Sequence, residues 1–307
     1  MQTNSCKEII KSFSDNNLSY IKITSPEIEL TDISKIFSCG QSFRFERYEH
    51  SRHEKEFCGV AYGKFVSFAQ DDNELYIYNT NEAEYLALWQ RYLALDLTYN
   101  EIMQNILENI SYPVINEALN CGRGIRILNQ EPWEVICSFI ISQNNNIPRI
   151  KKIIKAISKA LGEKIDAGNM TSHGASDVEF AFPTPSATKN CGVSLLCDLK
   201  TGFRAKYIFD AAQKVANGDI DINQLYALTT EQCISELCKI YGVGLKVANC
   251  CALFAFEKYD AFPVDVWIKR VLEKYFDENV NISAFGKYAG IAQQYLFYYE
   301  KYLQFNR

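Results

Sequence analysis

The sequence lacks the clustered ligands that zinc and iron–sulfur sites require. It has 11 cysteines but no Cys-x-x-Cys pair, it has only 3 histidines, and no cysteine follows Cys251. Such metal sites need several soft ligands at short spacing. We therefore expect no zinc or iron–sulfur centre. Reduced thiols in an apolar core explain most of the cysteines better than disulfides do.

Long apolar runs and a secretory leader are also missing. No uninterrupted apolar stretch approaches the roughly 20 residues that a membrane-spanning helix needs. The start, Met-Gln-Thr-Asn-Ser-Cys-Lys-Glu, does not have the basic and then apolar layout of a signal peptide. We therefore expect an intracellular protein without membrane contact, cytoplasmic if bacterial and nuclear if eukaryotic.

An excess of positive charge is absent as well. The chain carries 32 Lys and Arg against 37 Asp and Glu, a net charge of −5, which argues against a large non-specific nucleic-acid binder. Basic residues nevertheless cluster in two segments: Arg149, Lys151, Lys152, Lys155 and Lys159, then Lys189, Lys200, Arg204 and Lys206. A local basic face suits an enzyme that binds DNA and also releases it. Ordinary solvated helix faces explain the same pattern equally well.

Short β-branched and aromatic runs dominate the chain up to about residue 80. Gly63 and the Asp71-Asp72-Asn73 cluster separate three of them, which is typical of an antiparallel meander. The predicted strands are Phe57–Tyr62, Lys64–Gln70 and Glu74–Asn79, with Tyr20–Ile23 and Phe43–Tyr48 in the same sheet.

Helical periodicity takes over from Glu82 onward. Gly162 to Thr188 is rich in Gly, Ser and Pro and is predicted to be a loop. The predicted helices begin near Pro132, Pro148, Arg204 and Asp265, with a last helix from roughly Ala284 to Leu303. The sequence thus predicts an α+β protein in four segments. These are a sheet domain (1–80), a helical connection (81–123), a helical domain with the Asn triplet and basic helices (124–229), and a hairpin with C-terminal helices (230–307).

The most informative segment is Ile240-Tyr241-Gly242-Val243-Gly244-Leu245-Lys246-Val247-Ala248. A Gly-x-Gly turn that opens into a helix presents backbone N–H groups and lets a phosphate backbone approach closely. Its spacing does not match a nucleoside-triphosphate loop. Thr230 can cap the preceding helix. Taken alone, a Gly-Val-Gly turn is more often a structural helix cap.

One lysine and one carboxylate add chemistry to this turn. Lys246 lies in the first turn of the helix, and Asp265 begins the next one. A nucleophilic amine must be neutral, but a free lysine is almost entirely protonated at pH 7. Desolvation in a pocket would have to favour the neutral amine. Asp265 alone is most simply an N-cap, yet it could also accept a proton or stabilise positive charge on a sugar.

At these residues the chain resembles the helix-hairpin-helix DNA glycosylases, and it is most similar to the 8-oxoguanine DNA glycosylase/AP lyase family. Four further segments resemble that family in the same order: Ser38-Cys39-Gly40-Gln41-Ser42-Phe43-Arg44, Gln143-Asn144-Asn145-Asn146-Ile147-Pro148-Arg149, Gly202-Phe203-Arg204-Ala205 and Gly290-Ile291-Ala292-Gln293-Gln294-Tyr295-Leu296-Phe297. The resemblance covers nearly the whole chain. It implies a small N-terminal antiparallel sheet domain packed on a mostly helical, two-lobed body.

The resemblance also implies an activity. Such enzymes flip the damaged nucleotide out of the duplex, because its glycosidic carbon is inaccessible in the stack. By resemblance, Lys246 attacks C1′ and expels the base to leave a Schiff base, and β-elimination then nicks the strand. Asp265 would stabilise the oxocarbenium-like transition state. Backbone groups of Gly242, Val243 and Gly244 would hold a phosphate, with a monovalent cation on the hairpin carbonyls as the one cofactor considered.

Recognition of the damaged base can be argued from hydrogen bonding. Guanine N7 is an acceptor, whereas 8-oxoguanine carries N7–H, and the resemblance assigns the Gly40 carbonyl to accept it. Gln293 offers a donor and an acceptor to the Watson–Crick edge. Phe297 lies four residues later and would stack on the base. Cys250, four residues after Lys246, would form the opposite wall.

A further set of residues would contact DNA and the opposite cytosine. By resemblance these are Asn144, Asn146, Arg149, Phe203, Arg204 and Trp267. Some positions depart from the family pattern. Phe203 stands where eukaryotic members have tyrosine, Trp267 replaces a histidine, Asn249 replaces an aspartate, and Phe262-Pro263-Val264-Asp265 replaces Gly-Pro-Asp. These differences concern the opposite-base preference more than the chemistry.

The sequence therefore predicts a bifunctional glycosylase/lyase that excises 8-oxoguanine from double-stranded DNA, acting as a monomer without an obligatory protein partner. One alternative is a sister enzyme with the same lysine chemistry and another oxidised purine. A second alternative, from a different class, is a non-catalytic hairpin module that binds DNA. The presence of both Lys246 and Asp265 argues against the module.

Overall fold

The computed structural model describes residues 8–15, 18–176, 179–277 and 280–305. The chain divides into two compact units. The first comprises residues 1–100, 123–128 and 164–181, and the second comprises 101–122, 129–163 and 182–307. The four segments deduced from the sequence remain a prediction about domain boundaries.

The first unit contains a six-stranded antiparallel sheet. Its strands are β1 (Ile9–Asp15), β2 (Leu18–Thr24), β3 (Phe45–Arg47), β4 (Lys55–Ala61), β5 (Lys64–Asp71) and β6 (Glu74–Tyr78), in the spatial order β1-β2-β6-β5-β4-β3. The predicted meander is confirmed, with β4 pairing with β5 and β5 with β6. The structure adds β1, which the sequence did not predict, and shortens the third strand of the chain to three residues.

Short helices complete this unit. They are α1 (Pro26–Glu29), α2 (Ile33–Ser38), α3 (Glu82–Glu84) and α4 (Gln90–Tyr92), with a π-helical turn at Tyr85–Trp89. The sequence predicted neither α1 nor α2. Asp32 begins α2 because its carboxylate accepts hydrogen bonds from the backbone N–H groups of Ser34 and Lys35.

Both faces of the sheet are buried. Phe57 and Phe68 belong to one apolar cluster with the helices, whereas Cys58 and Phe65 belong to a second cluster. Successive strand residues point to opposite faces, so β4 and β5 supply both clusters. Met170 also lies in the second cluster.

Met170 comes from the segment that was predicted to be a loop. This segment instead contains β7 (Lys164–Ile165) paired with β8 (Glu179–Phe180), and a 3₁₀ turn at Met170–His173. Its 3₁₀ turn packs on the sheet and buries His173 against Glu56. The Gly-, Ser- and Pro-rich composition that indicated a loop therefore belongs to a segment with two short strands and a 3₁₀ turn.

The second unit is helical. Its helices are α5 (Tyr99–Asn109), α6 (Pro113–Cys121), α7 (Pro132–Ser142), α8 (Ile147–Leu161), α9 (Pro185–Asp198), α10 (Ala205–Asn217), α11 (Ile222–Ala227), α12 (Thr230–Leu237), α13 (Leu245–Ala255), α14 (Val266–Tyr275) and α15 (Ala289–Phe305). The predicted helix starts at Pro132 and Pro148 are confirmed, each proline lying in the first turn. The α+β class is confirmed by these helices together with the sheet.

Two helix boundaries differ from the prediction. Helices resume at Pro185 rather than near Arg204, because α9 precedes α10; Gly192 breaks the regular helical geometry of α9 with a φ of 74°. The last helix begins at Ala289 rather than Ala284, since a 3₁₀ segment at Ile282–Tyr288 precedes it and Gly286 has a φ of 75°. No helix in the described part of the chain is long and apolar enough to cross a membrane.

Candidate active site

The predicted nucleophile and carboxylate each lie at the start of a helix. Gly244 is the N-cap of α13, and Lys246 is the second residue of that helix. Asp265 is the N-cap of α14, where one carboxylate oxygen accepts hydrogen bonds of 2.9 Å from the N–H groups of Trp267 and Ile268. This cap fixes the orientation of the carboxylate. The side chains of Lys246 and Asp265 are both half-buried.

The thiol of Cys250 lies within the electrostatic influence of both groups. Burial raises the pKa of Cys250 above its ordinary value of 9.0; the charge of Lys246 and a hydrogen bond with it act in the opposite direction, and Asp265 raises the pKa further. Cys250 lies one helical turn after Lys246 on the same face of α13. The structure thus brings Lys246, Cys250 and Asp265 together.

An aromatic ring from α7 lies beneath the amine. The Nζ atom of Lys246 is 5.4 Å from the centre of the Phe139 ring, and Phe139 stacks on Phe254 of α13 with ring centres 5.4 Å apart. A ring face attracts the protonated amine. The sequence identified Phe139 only as one apolar residue of a helix, since nothing in its local pattern separates it from its neighbours.

The hairpin before α13 uses its two glycines differently. Gly242 has a φ of 79°, and a Cβ atom there would lie 2.4–2.5 Å from ring atoms of Tyr207. Gly244 is extended and exposed, and a Cβ atom there would meet nothing within 4 Å. Only Gly242 therefore needs glycine for the turn itself. Open space at Gly244 suits the close approach of a phosphate to the N-terminus of α13.

The start of α12 corrects one capping prediction. Thr229, rather than Thr230, is the N-cap, and it forms a capping box with Gln232. The Thr230 hydroxyl instead donates to the Asp260 carboxylate at 2.5 Å. Both threonines are of a residue type that is favoured at N-caps. Only Thr229 has a glutamine three residues later, Gln232, that completes the capping box.

Asn249 links the helix that carries Lys246 to the segment that leads to Asp265. The sequence assigned it no role beyond its departure from the family pattern. Its side-chain N–H donates to the Leu245 carbonyl at 2.8 Å, and its carbonyl oxygen accepts from the Phe262 N–H at 3.0 Å. Phe262 lies three residues before Asp265. Asn249 therefore fixes the segment that carries the carboxylate relative to the turn that carries Lys246.

The predicted base-recognition residues of α15 lie on a closely packed helix. A Cβ atom at Gly290 would be 2.2 Å from the Ala261 carbonyl oxygen, so α15 begins against the segment that leads to Asp265. Gln293 is buried, and its side-chain Oε1 has no hydrogen-bond partner among the described residues. Phe297 is half-buried. Within the described ranges, neither residue makes a hydrogen bond, ion pair or ring contact with Lys246.

The residues predicted to contact the opposite base have unequal surroundings. Asn144 is exposed with a φ of 47°, whereas Asn146 caps α8 by accepting from the Arg149 N–H at 3.0 Å. Asn146 therefore has a structural role in addition to the predicted DNA contact. Arg149 is exposed at the start of the basic helix α8.

Arg204 is buried, with only 3% of its surface exposed. Its guanidinium donates to the carbonyls of Gln143 and Asn144 and packs on the Phe203 ring at 4.4 Å. Burial lowers the pKa of Arg204, and the nearby charge of Arg149 lowers it further. Arg204 thus shapes the loop that presents Asn144, while Phe203 itself is exposed. Direct contact between Arg204 and an opposite base remains a prediction.

Two further residues were predicted to contact the DNA or the base, and each unit contains one of them. Trp267 is half-buried on α14, with the Arg270 guanidinium 5.2 Å from its ring centre. Gly40 belongs to the first unit, follows α2 and has a φ of 85°. Gln41, beside it, is buried and bonds to the backbone of Ile36, Arg126 and Leu128. These bonds hold the turn in which Gly40 lies.

Two family models match consecutive parts of the chain. One, described as the N-terminal domain of 8-oxoguanine DNA glycosylase, matches residues 22–136. The other, described as an HhH-GPD superfamily base excision DNA repair protein, matches residues 137–282. The boundary between the two matches falls inside helix α7.

Similar proteins agree with these matches. The structure of Clostridium acetobutylicum 8-oxoguanine glycosylase/lyase, in complex with double-stranded DNA containing cytosine opposite 8-oxoguanine, is 33% identical with a TM-score of 0.84, covering 96% of this chain and 98% of that chain. The N-glycosylase/DNA lyase of Saccharomyces cerevisiae is 27% identical over 270 residues, which are 81% of this chain and 69% of the yeast protein. The N-glycosylase/DNA lyase of Arabidopsis thaliana is 27% identical over 304 residues, covering 90% and 78%. The chain belongs to the 8-oxoguanine DNA glycosylase/lyase family of helix-hairpin-helix proteins and is a DNA glycosylase/lyase.

Proposed function

We propose that this enzyme excises 8-oxoguanine opposite cytosine from double-stranded DNA, with Lys246 as nucleophile and Asp265 as the assisting carboxylate. The observation that carries the assignment is the convergence of Lys246 and Asp265 on the Cys250 thiol. A lysine and an aspartate that both act on the pKa of one buried thiol at the starts of two helices are candidate groups for catalysis.

In the proposed reaction, the neutral amine of Lys246 attacks C1′ of a flipped nucleotide while the bond to the base breaks. The base leaves with the bonding electrons and a proton. The attached nitrogen then forms a C=N bond as the C1′–O4′ bond breaks and O4′ takes a proton, which gives the Schiff base. The Schiff base acidifies the hydrogen on C2′. When that proton leaves, the electrons of the C–H bond form a C2′–C3′ double bond, and the 3′ phosphate departs with the electrons of the C3′–O bond, which nicks the strand. Asp265 stabilises positive charge on the sugar as it develops, because its cap bonds hold it in place before the reaction.

Three features of the second unit support contact with double-stranded DNA. The N-terminus of α13 is open at Gly244, so a phosphate can approach its N–H groups. Arg149, Lys152, Lys155 and Lys159 form an exposed basic face along α8. Asn144 is exposed on a loop whose shape is fixed by Arg204. We infer that Asn144 and Phe203 occupy the space that the flipped nucleotide leaves.

Gln293 and Gly40 are proposed to read the damaged base. The buried Oε1 of Gln293 accepts an N–H from the Watson–Crick edge of the base, and the Gly40 carbonyl accepts N7–H. We further propose that the enzyme acts as an intracellular monomer without a protein partner. A monovalent cation on the hairpin carbonyls stays a prediction, and no step above depends on it.

Borohydride trapping tests the proposed chemistry. An 8-oxoguanine:cytosine duplex should yield a covalent protein–DNA adduct with the wild-type enzyme and none with Lys246→Gln, which should still bind the duplex. Gln293→Ala should retain trapping on an abasic duplex while excising 8-oxoguanine more slowly, because the base loses its partner on the Watson–Crick edge. An adduct that persists in Lys246→Gln would reject the nucleophile. Equal excision opposite all four bases would reject the cytosine preference.

A further inference from the structure

One face of helix α10 contacts the hairpin that carries Lys246. Tyr207, Asp210 and Lys214 lie on this face at the spacing of successive helical turns, and they are called here the α10 contact face. The Tyr207 ring lies against Gly242, where even a Cβ atom would come within 2.4 Å of the ring. The hairpin backbone therefore rests directly on the ring without an intervening side chain.

Hydrogen bonds from the other two residues fix adjacent points of the hairpin. The Asp210 carboxylate accepts from the Tyr241 N–H at 2.7 Å. Lys214 pairs with the same carboxylate at 2.7 Å and donates to the Lys239 carbonyl at 2.6 Å. The α10 contact face thus holds three closely spaced backbone positions just before Lys246.

The N-terminal end of α10 contacts the proposed opposite-base residues. Phe203 and Arg204 form the 3₁₀ turn that leads into α10, and Arg204 holds the carbonyl of Asn144 at 3.0 Å. The Phe203 ring meets the Tyr207 ring edge-on at 5.8 Å, and the Tyr207 ring meets the Tyr241 ring edge-on at 5.1 Å. A continuous set of contacts therefore runs from Phe203 through Tyr207 to the hairpin.

We propose that Tyr207 is a positioning residue that couples the opposite base to the placement of Lys246, so that opposite-base discrimination depends on a residue that touches neither base. This inference rests on the proposed function, in which Phe203 meets the opposite base and Lys246 attacks the sugar. A base that displaces Phe203 also displaces Tyr207, because their rings are in contact. Because the Tyr207 ring packs directly on the backbone of Gly242, its displacement acts on the hairpin.

The chemical step amplifies such a displacement. Lys246 lies four residues after Gly242, and its attack requires close alignment with C1′. A misplacement of about 1 Å can reduce the rate of such a step about a hundredfold. Small differences in how cytosine and adenine seat against Phe203 would therefore appear as differences in excision rate.

Single-turnover excision rates opposite cytosine and opposite adenine test the coupling. We expect Tyr207→Ala to reduce the cytosine-to-adenine rate ratio by about threefold to tenfold, as for one residue that links two coupled sites. Tyr207→Phe keeps the ring and should retain the wild-type ratio. In a double-mutant cycle, the losses of ratio from Tyr207→Ala and Phe203→Ala should not add, because both interrupt the same set of contacts.

Tyr226→Ala provides a matched control for general loss of packing. Tyr226 is another half-buried tyrosine of the second unit, and its ring meets Phe256 edge-on at 5.2 Å, away from the α10 contact face. It should lower stability but preserve the rate ratio. An equal fall in rate opposite both bases in Tyr207→Ala would overturn the inference and leave the proposed function intact. A wild-type enzyme that forms no borohydride adduct would instead overturn the proposed function.

Discussion

Two cations of this protein have opposite surroundings. Arg126, in the first unit, is fully buried, and its guanidinium donates to the Glu27 carboxylate at 2.9 and 3.0 Å and to the carbonyls of Ala94 and Leu97. Lys246, in the second unit, has a thiol and the face of an aromatic ring as its neighbours. Strong acceptors hold the Arg126 guanidinium in one place. Among the described residues, Lys246 has no comparable acceptor, which suits the nucleophile proposed above.

The same contrast applies to the carboxylates. Glu56 is 1% exposed and accepts hydrogen bonds from His173 at 2.7 Å and from the hydroxyls of Ser51 and Ser67. In the part of the chain that the structure describes, Asp265 accepts only the two N–H groups of its helix cap, both on one oxygen. The two groups with many partners, Arg126 and Glu56, therefore stabilise the fold. The two with few partners, Lys246 and Asp265, are those proposed for catalysis.

The largest effect is expected at Arg126, whose guanidinium donates to the Glu27 carboxylate and to backbone carbonyls. Arg126→Met leaves the Glu27 carboxylate and the carbonyls of Glu27, Ala94 and Leu97 without this donor, so the free energy of unfolding should fall by about 3–5 kcal/mol. Urea denaturation followed by circular dichroism measures the change. Arg126→Lys keeps the charge with fewer donors and should show a smaller loss. A loss below about 1 kcal/mol in Arg126→Met would mean that these contacts do not stabilise the fold.

Removal of the negative charge of Asp265 should lower the excision rate without changing the fold. Asparagine is as good an N-cap as aspartate, so Asp265→Asn should retain the start of α14. Excision should nevertheless fall about a hundredfold to a thousandfold, as when one stabilising group is removed from a reaction centre. Single-turnover kinetics with a thermal melt measures both quantities.

A matched control for this substitution exists at another helix. Asp221 caps α11 in the same way, accepting from the N–H groups of Asn223 and Gln224. Asp221→Asn should change neither excision nor stability. If Asp265→Asn retained full excision, the carboxylate would be a cap and nothing more.

The buried carboxylate should produce a pH dependence of stability. Burial alone would raise the pKa of Glu56, but hydrogen bonds from His173, Ser51 and Ser67 outweigh burial and leave it below its ordinary value of 4.5. A depressed folded-state pKa gives stability that is present above pH 4.5 and is lost as pH falls further. Glu56→Gln should cost about 1–3 kcal/mol at pH 7, and this difference should shrink as the pH falls from 5 toward 3. A difference that stayed constant over that range would contradict the assignment.

The smallest effect is expected at Asn249, the bridge between the turn that carries Lys246 and the segment that leads to Asp265. Asn249→Ala removes both hydrogen bonds, to Leu245 and from Phe262, and should slow excision about fivefold, the equivalent of about 1 kcal/mol. Asn249→Asp keeps the acceptor for Phe262 but not the donor to Leu245, so its loss should be smaller. Single-turnover rates measure both, and wild-type rates in both variants would show that the bridge does not position Asp265.

Local signals allowed much of this fold to be predicted. Turn residues such as Gly63 separated the strands, and Pro132 and Pro148 indicated helix starts. Strand β1 was missed because it is an edge strand with exposed apolar residues, including Ile9 and Phe13. Its sequence, IIKSFSD, has no buried face that would produce a clear alternation.

The candidate site was predictable where chemistry depends on residue type and not where it depends on packing. Lys246 and Asp265 could be identified from the hairpin and the family resemblance. Phe139 could not, because its ring reaches Lys246 only through the packing of α7 on α13. The surroundings of Arg204 were equally hidden, since the sequence does not distinguish an arginine that faces DNA from one that bonds to the carbonyls of its own loop.

The side-chain oxygen of Gln293 has a consequence for selectivity. An acceptor sealed from solvent without a donor raises the free energy of the empty enzyme by about 1–3 kcal/mol. A ligand that brings an N–H to this atom relieves that penalty, whereas a ligand without one enters and leaves it in place. Part of the preference for the base would therefore be set in the free enzyme, because only a base that donates an N–H to this oxygen removes the penalty.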